Sequence, residues 1–501
     1  MKERLKAVLK RLLPYGEDLM EQTVKSGVWV GVMNVTERGL ELSLLVIVAS
    51  LLSPRAFGIM GIALLTLASL KNFSELGIQA ALIQAEEDDV DHELNTAWTM
   101  ETARGIVIGS VLFLGAPFIA SLFTEPAAEN VVRVIAFSPV IVGLRNPAVV
   151  YFHKSLDFHK EFVYRVSGAS AYFLVTVGWA LFDPSVYALI FGYLAGDLTR
   201  FVVSYLAHDF RPWPEFDLDL AKQRLGFGKW ITGNSILYFL YSKGDDAFVG
   251  WALMASALGF YQLAYRLSNA PATEITHTIS SVTFSAYSKV QSNVEKLRSG
   301  YLQTLRMTTL LSFPAAIGIV AVAPAFIRAF FTPAWQPMVP VMQLLALYGL
   351  MRSMGATMGP VWKAIGRPDY ITKLSALRVV LLAILIYPAT MRYGIEGTAG
   401  LILGVYIFPM MPIDIYLIAR SVQTSPLRIL REVSYPLLAS VGMGAVVMYV
   451  DWNLDLGAPV AEFLLLVVVG AVAYAAFATV LMFSFDWKVK QNLESMVEAI
   501  A

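Results

Sequence analysis

Cysteine is absent from the 501 residues, which removes disulfides, thiolate metal ligands and thiol nucleophiles together. Histidine is scarce: His92, His153, His159, His208 and His277 are scattered, four of them in or beside polar connections, and they read as solvated loop residues. No metal site is therefore expected. Charged residues make up 15% of the chain against 57% hydrophobic ones, and this balance excludes an ordinary soluble globular protein. There is no phosphate-binding glycine loop, no HExxH and no pairing of nucleophile and base, so no enzyme signature is present. The 38 basic and 38 acidic residues cancel, which says little about partners because the charges are unevenly spread.

What the chain has is long apolar runs. Fourteen candidate spans fall near 26–50, 58–83, 94–123, 128–151, 162–182, 185–207, 228–250, 256–283, 302–331, 338–362, 370–390, 397–419, 433–450 and 459–485. Lys and Arg alternate across them. One set of connections carries Lys154 and Lys160, Arg211 and Lys222, Lys289 and Lys296, Lys363 and Arg367, Arg428 and Arg431, while the other carries little beyond Arg55 and Arg392. The basic set belongs on the cytoplasmic side, which places both termini there. Residues 1–25, opening with MKERLKAVLKRLL, read as a cytoplasmic amphipathic surface segment without a cleavable leader.

The stretch Ser26–Gln84 is the most informative. Its first run carries Glu37, Arg38 and Glu41 at helical spacing, and Arg38 falls about 18 Å beyond Ser26, near the middle of a hydrocarbon layer about 30 Å thick. The second run carries Lys71 and Glu75. Facing lipid, such groups would cost at least about 2.5 kcal/mol each, so they imply a polar cavity inside a helix bundle. Further intramembrane charges are Glu101 and Arg104, then Lys243, Asp245, Asp246, Arg266, Glu274 and Arg352. The spacing of Lys71 with Glu75 and of Glu101 with Arg104 also suits internal ion pairs, the plainer reading. In YSKGDDAF, Gly244 loosens the helix beside Asp245 and Asp246. That cluster reads either as a cation- or proton-coupling site or as a helix end capped by Asp. Tyr238, Tyr241, Tyr261 and Tyr265 read as sugar-stacking residues or as an interfacial belt.

The longest polar connection, 208–229, separates six spans from the rest. After it the first hairpin recurs: a shift of 201 residues superposes Gly27 on Gly228, Trp29 on Trp230, Leu52 on Leu253, Ala56 on Ala257, Gly58 on Gly259 and Ala63 on Ala264. The expected organisation is an N-lobe over 26–208, a cytoplasmic linker over 209–227, a C-lobe over 228–420, and two peripheral spans with a tail over 421–501.

The segment LLSPRAFGIMGIALLTLASLKNFSELGIQAALIQ closely resembles the first hairpin of the polysaccharide-exporter (Wzx-type) flippases of the multidrug/oligosaccharidyl-lipid/polysaccharide exporter superfamily, with its Leu-Ser-Pro turn and Phe-Gly. ALGFYQLAYRLSNAP and FSAYSKVQSNVEKLRSGYLQTLR resemble a second stretch of that family. The resemblance implies an all-α polytopic protein of about 14 membrane helices, two six-helix lobes in a V shape plus two C-terminal helices. By the same resemblance it moves a polyprenyl-pyrophosphate-linked oligosaccharide from the inner to the outer leaflet of the cell membrane. Arginines in spans 1 and 8 of such flippases face a cationic cavity, onto which Arg38 and Arg266 map; Lys71 is added from its depth. Ser285 stands where the family usually has proline, and span 11 has no acidic residue, which argues against a sodium site of the lipid II flippase kind.

The expected substrate-binding set is Arg38, Lys71, Arg266, Glu37, Glu41, Glu75, Arg104 and Arg352, with Asp245 and Asp246 for ion coupling. Expected partners are the lipid-linked oligosaccharide, membrane lipid, and the glycan polymerase and glycosyltransferases of the same pathway. The protein is expected to act as a monomer without nucleic acid or cofactor, with coupling to Na⁺ or H⁺ open. The alternatives are an ion-coupled exporter of small amphiphilic cations, which requires an acidic cavity, a lipid II-type flippase, and a membrane-embedded glycosyltransferase, which the short outer connections disfavour.

Overall fold

The computed structural model describes residues 19–75, 90–154, 157–454 and 456–485, which are helices and their connections without a strand among them. Two compact units result, residues 1–259 and 260–501.

The first unit begins with α1 (Leu19–Leu51) and α2 (Pro54–Phe73). The Ser-Pro of the turn explains the sharp start of α2. Ser53 is the N-cap, its hydroxyl accepting from the Ala56 amide at 3.4 Å, and Pro54 takes the first helical position, where no amide hydrogen is required. Arg55 then donates twice to Glu125, at 3.0 and 2.6 Å, tying this turn to the one after α3 (Val90–Leu122). The fourth apolar run is not one helix. It is α4 (Ala127–Ile135) and α5 (Phe137–Gly143), then a 3₁₀ turn over Pro147–Val149 and α6 (Val150–Lys154). α7 (Phe158–Phe182) packs on α1 and on α8 (Val186–Leu206).

The polar linker has no regular secondary structure over 208–217 and is held by the start of α3: Asn95 donates to Glu215 at 3.0 Å and accepts from the Trp213 amide at 3.0 Å, and Thr99 accepts from the Glu215 amide at 3.1 Å. These bonds place the linker within the first unit. The next helical element, α9 (Leu218–Val290), contains two of the apolar runs, divided at Met254 (φ 68°, ψ 177°). A Cβ on Gly58 would strike the Ala255 carbonyl, and a Cβ on Gly259 would strike the Pro54 carbonyl. The 201-residue shift carries Pro54 to Ala255 and Gly58 to Gly259, so the repeat read from sequence pairs with itself through two glycines.

In the second unit α10 (Val294–Phe330) packs on α11 (Met338–Ala364), α14 (Pro426–Asn453) and α15 (Pro459–Phe485). α12 (Asp369–Val405) bends at Gly394 (φ 60°, ψ −143°), a left-handed position that glycine takes without steric cost. A π-helical turn over Tyr406–Met410 then leads into α13 (Met411–Ser421). Of the two spans expected to be peripheral, only α15 is, with 17% of its apolar window buried. α14 packs along α10, and its Glu432 accepts from Arg306 at 2.9 and 2.7 Å.

Most of the other apolar runs are helical where described, while the second leaves helix after Phe73 and the twelfth is interrupted at Phe408. Eight helical stretches are long and apolar enough to cross a membrane by length and composition, and two of them, Ser235–Ala270 and Asp369–Ser421, each reach into two runs across a bend. The molecule is an all-α polytopic membrane protein.

Candidate functional site

In the first unit a cavity of 180 Å³ is lined by Lys71, Glu75, Glu101, Arg104, Gly105, Ile108, Pro139, Val142 and Gly143. Its shape follows from small residues. A Cβ on Gly105 would collide with the Pro139 carbonyl, and one on Gly143 would come within 2.6 Å of the Glu101 carbonyl, so α3 and α5 approach backbone to backbone. Thr102 seals that seam by donating to the Gly143 carbonyl at 2.9 Å.

Arg104 organises the charges. Its Nη1 donates to Glu101 at 3.1 Å and its Nη2 to Glu75 at 3.4 Å, while Nη2 also reaches the Lys71 carbonyl at 2.7 Å and Nε the Ser74 hydroxyl at 3.2 Å. One guanidinium therefore ties the end of α2 to the middle of α3 and answers both carboxylates of the cavity. The Glu101–Arg104 pair is the one its three-residue spacing predicts. The Lys71–Glu75 pair is not formed, because α2 stops at Phe73 and Glu75 leaves the helical register that would bring the two together. Among the described residues the Lys71 ammonium has no hydrogen bond or ion pair, although it lines the cavity and is partly buried.

Lys71 lies 17 residues from Pro54, and Arg104 lies 18 from the other end of α3 at Leu122. Both are thus about 26 Å along their helices from the Ser53–Glu125 end.

The mid-depth charges of α1 are paired. Arg38 donates to Glu41 at 2.7 Å, and Glu37 accepts both bonds of the Arg165 guanidinium from α7, which also reaches Glu161 at 3.7 Å. Glu37 and Arg38 are therefore answered separately, which spacing along one helix does not reveal. Arg266 is exposed, without an ion pair among the described residues. Arg352 donates to the Tyr265 hydroxyl at 3.0 Å. Lys243 donates to Asp246 at 3.0 Å, one turn further along the same helix. That helix runs unbroken past Gly244 to the bend at Met254, so Asp245 and Asp246 neither cap a helix end nor sit beside a loosened turn. Glu274 and His277 lie outside the residues whose side chains are described.

Sequence reasoning passed over a buried network beside the cavity. Asp197 of α8 accepts from Arg145 at 2.6 Å and from the Ser138 hydroxyl at 2.6 Å, with Arg200 at 3.9 Å, and Arg145 and Asp197 are the charges beyond Arg104 and Glu101 that act on Lys71. The signal was available, since each is a charge within an apolar run. No group of metal-binding residues occurs among the described residues.

A lone lysine beside a saturated arginine can accept an incoming anion with charge-assisted hydrogen bonds, leaving the supporting ion pairs in place. The fold is shared with the lipid II flippase MurJ in its inward closed conformation, at a TM-score of 0.73 and 15% identity over 90% of this chain and 98% of that one. A MATE-family multidrug transporter follows with a TM-score of 0.58 at 16% identity, covering 83% of this chain and 98% of its own. In sequence the chain is 28% identical to the lipopolysaccharide biosynthesis protein WzxC of Escherichia coli (strain K12) over 77% of this chain and 78% of the relative. It is 24% identical to the succinoglycan biosynthesis transport protein ExoT of Rhizobium meliloti (strain 1021) over 68% and 69%. With the polysaccharide biosynthesis protein family model matching residues 47–340, well over half of its length, the chain belongs to that family.

Proposed function

We propose that this protein is a flippase that moves an oligosaccharide linked to a polyprenyl (pyro)phosphate from the inner to the outer leaflet of the cell membrane by alternating access. The observation that carries the reading is the Lys71 ammonium, which lines the cavity without an ion pair among the described residues. An anionic head group faces a barrier of order 20 kcal/mol in the idealised ion-transfer limit, so crossing unaided is negligible. Fixed cationic groups replace the lost hydration while the lipid tail stays in the bilayer.

With Lys and Arg concentrated on the cytoplasmic side, the cavity lies toward the inner leaflet, the depth at which a phosphate presented from that leaflet is first met. Lys71 contacts the phosphate and Arg104 positions the cavity wall, while Arg266, exposed on the second unit, is a separate candidate for anion contact. Arg38, balanced by Glu41, is a lesser contact. The family relationship to WzxC and ExoT supports a glycan cargo.

The competing reading, an exporter of amphiphilic cations, needs carboxylates open to the cargo. Glu75 and Glu101 are both bound by Arg104, which disfavours it. The test is glycan export in a deletion strain complemented with variants. Lys71→Ala lowers export while Lys71→Arg largely retains it. Export at the wild-type level from correctly inserted Lys71→Ala, Arg266→Ala and their double variant removes the cationic-contact proposal.

A further inference from the structure

The second unit holds a carboxylate that the flippase reading does not use. Asp414, on the first turn of α13, is 6% exposed and makes no hydrogen bond or ion pair among the described residues. An ionised carboxylate left in this condition within an apolar bundle is strongly disfavoured, and the group relieves the cost by taking up a proton or a counter-charge. One counter-charge stands ready. Arg378 of α12, 4% exposed, is the charge that acts on Asp414, yet here its Nη2 donates to the Tyr348 hydroxyl at 2.6 Å and its guanidinium lies 5.1 and 5.3 Å from the ring centres of Tyr348 and Tyr406.

The other titratable group facing Asp414 is the fully buried Tyr301 of α10, next to Thr357 of α11. Among the described residues no charge from α11, α14 or the π-helical turn acts on it: Arg352 is engaged with Tyr265, and Glu432 with Arg306. Between the Tyr406 ring that Arg378 covers and the helix that carries Asp414 lies the π-helical turn, in which Phe408 leaves helical geometry (φ −146°, ψ 124°).

We infer that Asp414 is a proton-binding site whose occupancy decides where Arg378 is directed. The arrangement seen here, with Arg378 on the two tyrosines, is that of the protonated carboxyl. Loss of the proton creates an anion that draws Arg378 away from Tyr348 and Tyr406, and α13 resets at the turn. The ligand is a proton and not Na⁺, because the adjacent guanidinium repels a metal cation but supplies the counter-charge needed after proton release.

The test uses the full-length protein in phosphatidylethanolamine/phosphatidylglycerol liposomes without any cargo, so that its failure is separable from failure of the flippase reading. Infrared difference spectra between acid and alkaline buffers are expected to contain a protonated-carboxyl band that Asp414→Asn removes and Asp246→Asn leaves. Tryptophan fluorescence is expected to show a one-proton step that Asp414→Asn abolishes and Asp414→Glu moves along the pH axis. Asn has the shape of the protonated carboxyl, so this variant is expected to fold; should it not, the Glu variant alone must shift both the band and the step. The inference is overturned if the band and step persist unchanged in the variants, or if the step follows Na⁺ concentration at fixed pH.

Discussion

At the scale of single residues, opposite charges in the first unit are sorted by which helix answers them. Arg104 is committed to structure: it holds Glu101, Glu75, the Lys71 carbonyl and Ser74 at once. Lys71, in the last turn of α2, has no ion pair among the described residues, and it is the residue proposed above to meet the anion. A charge-assisted hydrogen bond contributes about 1.5–3 kcal/mol, so Lys71→Ala should reduce export roughly 10- to 100-fold, measured as surface glycan per cell, with protein level unchanged. Asp197 plays the opposite part. It is 4% exposed and answers Arg145, and removing it as Asp197→Ala leaves buried guanidinium charge uncompensated. The expected loss is about 3–5 kcal/mol of stability, read as a lowered thermal midpoint in detergent, with Asp197→Asn milder. The Glu101–Arg104 pair could be read from spacing because both residues stay on one helix. The absence of Lys71–Glu75 could not, since it depends on α2 ending two residues before Glu75.

Helical elements in this chain are shaped by where backbones must touch. Gly58 and Gly259 each admit the carbonyl of the other segment, Ala255 and Pro54 respectively, in space that any side chain would fill. Gly58→Val and Gly259→Val should each lower the detergent thermal midpoint or prevent stable insertion, while Gly39→Ala, at a position with nothing near its Cβ, should not. The two variants should not rescue one another, because each forces apart the same pair of segments from the opposite side. Ser53 and Pro54 act more weakly, fixing the start of α2, and Ser53→Ala should cost about 1 kcal/mol of stability by the same measurement. Such element boundaries were legible from the Leu-Ser-Pro turn and from the length of each apolar run. The split of the fourth run into α4, α5, a 3₁₀ turn and α6 was not, for an unbroken apolar composition does not reveal that Asn146 bonds its own chain at Ala148 and the linker at Phe210.

For the whole molecule, the absence of cysteine makes sidedness directly measurable. Pro184, exposed before α8, and Asp209, exposed after it, lie at the two ends of one span. Single-cysteine variants Pro184→Cys and Asp209→Cys should label with a membrane-impermeant maleimide in opposite fashion, the first in intact cells and the second only after permeabilisation. Labelling of both in intact cells would invert or break the assigned topology. What the sequence by itself determined is the all-α membrane class and most of the apolar runs, because each follows from local composition and from a bilayer thickness that dictates helix length. Tertiary structure alone decided which charge meets which. Glu37 finds Arg165, Arg145 finds Asp197, and Asp414 is left without a hydrogen bond among the described residues, since the energy of a buried charge depends on partners brought from distant helices.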